Sequence, residues 1–326
     1  MSRRRVDVHV HFVPEVYRAA LQRAGVDHPD GIKAVPEWSE DLALATMDRL
    51  DVEVAMLSIS TPGVHFGDDA AAAELARAVN EESAAIASRH PGRFGSFASL
   101  PLPDVDASVV ELRHALVELG ADGAVIQTNH AGLYLGDVRL DPVYAELETR
   151  GAVLFIHPTT AHLGEHLALG YPRPMLEFMF ETTRSVTNMV LSGVLNRYPD
   201  LRVIVPHAGA ALAVLANRVE LLLPLLTPEG SAPALSLREA LGRFHYDLAG
   251  APFDELLTAL VSVADPRKLH YGSDFPFTPA DACVALASRL DATHVLDKAH
   301  KAAIDGGNSA VLFPRVAAHL SPTAAQ

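Results

Sequence analysis

Five residues carry side chains suited to holding or serving a divalent cation: His9, His11, His157, His207 and Asp274. In the run Val6-Asp7-Val8-His9-Val10-His11 the two histidines are one residue apart. The twofold alternation of a strand sends both imidazoles to one face and Val8 and Val10 to the other. His157 ends Val153-Leu154-Phe155-Ile156, His207 follows Val203-Ile204-Val205-Pro206, and Asp274 follows Leu269-His270-Tyr271-Gly272-Ser273. Each stands at the C-terminal end of an apolar run. A paired surface histidine, a buried core histidine or a helix-capping aspartate explains any one of them alone. One positional rule met by all of them points to a shared site. Neutral imidazoles with a carboxylate suit a borderline divalent ion, zinc first and manganese second. Three histidines and Asp274 leave a coordination position open. His207 is either a further nitrogen ligand or an acid–base group beside the metal, and the second role leaves room for chemistry.

The elements that must position these residues are legible as eight short β-branched or apolar runs, 5–11, 54–60, 94–100, 124–127, 153–157, 203–205, 245–248 and 269–271. Longer segments rich in Ala, Leu, Glu and Arg separate them with helical spacing, which is the pattern of a parallel sheet wrapped in helices. Eight is the strand number of the (β/α)8 or TIM barrel, in which the C-terminal strand ends surround one mouth. Helices are predicted over 68–89, 104–119, 141–150, 176–197 and 208–223, and Pro and Gly mark the joins, as at Thr61-Pro62-Gly63 and Tyr198-Pro199-Asp200. Neither a repeat nor a linker interrupts the pattern, so one barrel domain over 1–326 is expected, with 321–326 frayed.

A hydrophobic fraction of 49% and a charged fraction of 20% over 326 residues fit a globular chain, with no uncharged apolar run of membrane-spanning length. The formal charge of −14 disfavours nucleic acid and anionic membranes, leaving a small molecule as the expected partner. An anionic substrate is compatible, because a bound cation dominates the local potential. Cys283 is the single cysteine and rules out an internal disulfide, and the basic start at Arg3 to Arg5 is not followed by an apolar signal core. A cytoplasmic setting is expected.

At these residues the sequence resembles the amidohydrolase superfamily, in its branch of aminocarboxymuconate-semialdehyde decarboxylase-like enzymes. The carriers are Asp7-Val8-His9-Val10-His11, Phe155-Ile156-His157-Pro158, Glu181-Thr182-Thr183, Ser192-Gly193-Val194, Pro206-His207-Ala208-Gly209-Ala210, Gly272-Ser273-Asp274-Phe275-Pro276 and Gly307-Asn308-Ser309-Ala310. The stretch from Ser60 to Gly67, with Ser99 to Pro103, is similar to the 6-methylsalicylate decarboxylase subgroup. The resemblance implies the metal-dependent hydrolase type of barrel, with His9, His11, His157 and Asp274 as ligands of one metal and His207 at the substrate or metal-bound water. The fourth run ends Val125-Ile126-Gln127-Thr128, without the carbamylated lysine of binuclear relatives. The resemblance also implies a homodimer. The arginines that clamp a dicarboxylate in the muconate enzymes have no counterpart in 24–48 or 220–237, so a monocarboxylate is expected.

A salicylate-like substrate would lose carbon dioxide after protonation of the ring carbon that bears the carboxyl group, with Asp274 as proton donor and His207 steadying the exchange. The ring would be lined by His65, Phe66, Asn129 and Phe275, all on strand-exit loops. The alternative reading is a metal-dependent hydrolase of a lactone or amide, using the same ligands and His207 as base.

Overall fold

Apolar runs too short to stand alone pair in chain order into one parallel sheet in the computed structural model, which describes residues 5–228, 235–318 and 320. The strands are β1 (Arg5–His11), β2 (Val52–Ser58), β3 (Phe94–Ser99), β4 (Gly123–Gln127), β5 (Val153–His157), β6 (Arg202–Val205), β7 (His245–Asp247) and β8 (Leu269–His270). Past β8 the chain returns along β1. Val8 N donates to Tyr271 O at 3.0 Å, Asp274 N to His9 O at 2.8 Å and His11 N to Phe275 O at 2.8 Å. These bonds close the sheet as a (β/α)8 barrel and place Asp274 directly beside the histidines of β1. The 321–326 tail lies outside the described residues.

The helices begin and end where local chemistry satisfies their orphan backbone groups. Asp68 caps Asp69–Arg89 and Asp104 caps Val105–His114 through side-chain oxygens. Two expected helices differ. The one predicted over 176–197 is broken into Glu177–Leu191 and Val194–Arg197, because Gly193 adopts φ 77°. The one predicted from 208 begins instead at Leu212 and runs to Leu226. Before it, His207, Ala208 and Ala210 hold φ of 54°, 52° and 54°, a left-handed turn that no helix accommodates. That turn leaves His207 at the barrel mouth.

Strand side chains alternate between two apolar layers. Val54, Met56, Phe97, Val125, Val153, Phe155 and Ile204 form the barrel interior, whereas Leu57, Ile126, Leu154, Ile156, Val203 and Val205 pack outward in the larger core shared with the helices. β1 departs from strict alternation. Its register against β2 shifts between Asp7 and Val10, the signature of a bulge. Val6 and Val8 therefore both join the inner layer while Val10 joins the outer one, so Val8 shares the interior with the histidines rather than opposing them. The phase change stacks His9 and His11 directly above an apolar floor.

The opposite end of the barrel is stoppered by the C-terminal segment. Leu312, Phe313 and Val316 insert into the inner layer, with the Phe313 ring 5.9 Å from Phe97. Arg5, at the foot of β1, is buried and holds Asp305 at 3.0 Å and Asp291 at 2.8 Å, fixing the barrel to the two segments that precede the stopper. Phe313→Ala should lower unfolding free energy by about 3–5 kcal/mol through the cavity it leaves. Denaturant titration measures that loss, and metal stoichiometry of the folded variant should match the parent because the stopper is remote from the mouth.

Candidate metal centre

Each candidate ligand projects from the C-terminal end of a strand or the turn just beyond it. His9 and His11 come from β1, His157 ends β5, and Asp274 follows β8 in a left-handed turn with φ 61°. One donor atom from each of these four residues lies within 4.8 Å of all the others. His9 Nε2 is 3.1 Å from His11 Nε2, and Asp274 Oδ1 is 3.1 Å from His11 Nε2 and 3.5 Å from His9 Nε2. The three histidines are buried and the Asp274 side chain keeps 22% exposure, so it forms the edge that faces the cavity.

Proton accounting shows that this cluster is built for a cation. His9 Nδ1 lies 3.0 Å from Asp247 Oδ2, an acceptor only, so that nitrogen carries the proton. His157 Nδ1 lies 2.7 Å from the carbonyl of Pro158, and the same conclusion holds. Ser58 Oγ donates to Val10 O at 3.0 Å and therefore accepts from His11 Nδ1 at 2.9 Å. In the neutral form of each ring, the Nε2 lone pair then points inward to converge with a carboxylate. Without a positive charge between them they repel; with one, they are ligands whose tautomer and orientation are already set. Three imidazoles and one carboxylate fit a single borderline divalent ion with an open position.

The field at the cluster agrees. Burial opposes charge on His9, but Asp247 at its Nδ1, with Asp274 and Asp7 nearby, outweighs burial and pushes His9 up to about 9. The site thus favours positive charge at the point where the ligands meet. His157 is driven well below the ordinary histidine range, by burial first and by neighbouring His11 and His9 next. Asp274 is held well below the carboxylate range: burial raises it, and contacts with His11 and His207 more than reverse that.

His207 stands apart from the quartet. Its Nε2 is 3.9 Å from Asp274 Oδ2, too long for a direct hydrogen bond, and its Nδ1 is buried without a partner among the described residues. Asp247 Oδ1 accepts from His207 N at 3.1 Å, so one carboxylate orients both ligand His9 and the turn bearing His207. Gly272 makes this packing feasible. A Cβ there would stand 3.0 Å from that of His9 and 3.2 Å from those of Asp247 and Ala249.

A cavity of about 670 Å³ opens over the quartet, bordered by His157, His207 and Asp274 at its base. The four residues expected to line a ring do not border it. Phe275 is buried in the outer core, because its backbone pairs with β1 opposite Val10 and its side chain follows Val10 outward. Phe277, two residues on, lines the cavity instead, with its ring 5.5 Å from that of His11. His65 donates from Nε2 to Asp69 at 2.8 Å, and Asn129 donates to Glu181 at 2.9 Å and to Thr160 O at 3.0 Å; both border a separate cavity. Phe66 packs half-buried against the outer core. Ser58 and Asp247 were missed by sequence reasoning, although both obey the strand-end rule that found the ligands.

The amidohydrolase family model matches residues 6–315. A 6-methylsalicylic acid decarboxylase of Penicillium expansum is 36% identical over 316 residues, covering 96% of this chain and 97% of that protein. A solved amidohydrolase II structure superposes with a TM-score of 0.89 at 34% identity, covering 94% of this chain and 99% of the other. A Polaromonas dihydroxybenzoic acid decarboxylase, solved with bound manganese and 2-nitroresorcinol, superposes with a TM-score of 0.83 at 22% identity, covering 98% of this chain and 99% of its own.

Ser58→Ala and Asp247→Asn should each weaken metal affinity by about 10- to 100-fold, because the ligand loses the group that fixes its tautomer. Competition with a chromogenic chelator reads this directly. Unchanged affinity in both variants would show that the Nδ1 partners do not set the site.

Proposed function

Because the chain belongs to the amidohydrolase family, we infer that it is a metal-dependent carboxy-lyase that removes carbon dioxide from a small aromatic, salicylate-like carboxylate without an oxidant. The observation that carries this reading is the quartet with converging Nε2 atoms at the base of a cavity whose walls are mostly apolar, in a chain similar over nearly its whole length to a 6-methylsalicylic acid decarboxylase. 6-Methylsalicylate is the first substrate to test. The reading treats 1–326 as one barrel domain.

His9, His11, His157 and Asp274 would hold the ion, which when bound supplies a Lewis-acidic centre for the substrate's carboxylate and adjacent hydroxyl oxygens. Zinc suits three imidazoles and a carboxylate, and the manganese in the Polaromonas protein keeps that ion as the alternative. The chain's own residues manage the proton. Asp274 is ionised at rest and becomes an acid only by accepting the proton of the substrate hydroxyl. It then delivers that proton to the ring carbon bearing the carboxyl group. The bond to the carboxyl carbon breaks, its electron pair returns to the ring, and carbon dioxide leaves with a phenolate as co-product. His207, with Nε2 across from Asp274 Oδ2, orients the carboxyl through this exchange. The apolar walls keep water from the protonated ring.

A homodimer in the cytoplasm belongs to the same reading. Helix Leu212–Leu226 buries only Leu212 and Ala216 fully and leaves Val214, Leu221, Leu225 and Leu226 exposed, an apolar face suited to a second copy. Among the described residues no helix is long and apolar enough to cross a membrane. Light scattering should give twice the chain mass, and Leu225→Glu should shift it to the monomer.

Incubating metal-loaded protein with hydroxybenzoates and lactones distinguishes the lyase from a hydrolase: gas release with phenol formation supports the first, lactone opening without gas the second. Asp274→Asn should lower kcat by about 10²- to 10⁴-fold, while retaining more metal than His9→Ala or His11→Ala. Equal metal loss in all three would remove the case for Asp274 as acid.

A further inference from the structure

The cavity over the quartet is larger and more one-sided than a single-ring acid requires. Its volume of about 670 Å³ lies in the range that encloses drug-sized ligands, whereas a methylsalicylate is a fragment. Its polar groups His157, His207 and Asp274 lie at the base. Of those higher up, Asp30 and Thr61 are engaged with each other at 2.8 Å, and Asp30 also accepts from Thr160, which leaves this carboxylate little call on a ligand. Lys33, on the same segment, also borders the cavity but is exposed.

Apolar side chains also line the cavity from the ligands outward. Phe277 and Phe178 touch the ligands, with ring centroids 5.5 Å from His11 and 6.5 Å from His157. From Phe178 the wall continues through Met179 to Met175, which is 69% exposed at the rim, and Ile32 also lines the cavity, from the 29–36 segment. The two segments meet, since Arg173 and Pro172 stand against Gly31. A molecule whose carboxylate and hydroxyl sit at the quartet therefore has an apolar lane between the ring and solvent.

We propose that this site accepts salicylates bearing an apolar chain longer than methyl, with the chain lying along Phe178, Met179, Met175 and Ile32. The proposal rests on the decarboxylase reading for the polar head; the lane itself does not depend on turnover. Methionines suit the task, because unbranched thioethers adapt to chains of different length.

The test is a series of 6-alkylsalicylates from methyl to pentyl, with kcat/KM read from phenol formation, alongside calorimetric Kd values for the matching 3-alkylphenols on metal-loaded protein. Affinity should rise up to about fourfold for each methylene that becomes buried, and kcat/KM should hold or rise along the series. Met175→Asp, at an exposed position that folding tolerates, should lower the pentyl-to-methyl ratio of both quantities at least tenfold. A tenfold fall in kcat/KM and in phenol affinity between methyl and propyl would overturn the proposal, as would an unchanged ratio in the variant. If no salicylate in the series releases carbon dioxide, the decarboxylase reading fails, and the phenol affinities alone decide whether the lane exists.

Discussion

The arrangement on which the mouth of this barrel depends is the meeting of three imidazole Nε2 atoms and a carboxylate within a few ångströms. Each neutral imidazole is denied the freedom to place its proton there, because Asp247, Ser58 and the Pro158 carbonyl hold the other nitrogen. Without a metal the cluster favours a proton on His9, so a cation entering it must displace that proton. The barrel beneath is apolar and stoppered. Asp7 illustrates the same economy of placement. Burial lifts it to about 7, yet it accepts from His9 N at 3.1 Å and Ser273 N at 3.0 Å, joining β1 to the Asp274 turn.

The bulge in β1 is the geometric counterpart of that chemistry. A regular strand would alternate valine inward and histidine outward, or the reverse, over its whole length. By changing phase after Asp7, β1 contributes two valines to the inner layer and then two histidines above it. His9 consequently rests edge-on against Phe155 at 4.9 Å, which fixes its ring from below while Asp247 fixes it from the side. Rotation of either imidazole would require displacing core atoms rather than solvent, and that rigidity preorganises the ligands.

The ligands were legible in the sequence because they share one positional rule, and barrel topology turns that rule into spatial convergence. Eight strands were legible for the same reason, with only their ends displaced. What escaped was whatever depends on a backbone conformation that composition does not announce. Ala208 and Ala210 read as helix formers, yet they hold left-handed φ values and the helix waits until Leu212. Phe275 and Phe277 are indistinguishable as loop aromatics until the pairing of 275 with Val10 sends one ring to the core and leaves the other at the cavity. Ser58 and Asp247 carry no signal of their own. A serine or aspartate at a strand end is common, and its meaning appears only when a ligand's second nitrogen is found pointing at it.

The double role assigned to Asp274 follows from its position rather than from its residue type. It is the ligand with the most solvent-facing side chain, and it hangs from a turn closed by Thr278 N on its own carbonyl at 2.8 Å rather than from a strand. The histidines are locked by core and hydrogen bonds on every side, so they can only hold. Asp274 has one oxygen toward His9 and His11 and the other toward His207 and the cavity. In the proposed mechanism, a carboxylate so divided would serve the metal site on one side and gain and give up a proton on the other, which a fully enclosed ligand could not do. The left-handed turn at Asp274 is, in that mechanism, the structural means by which one residue would serve both sides of the site.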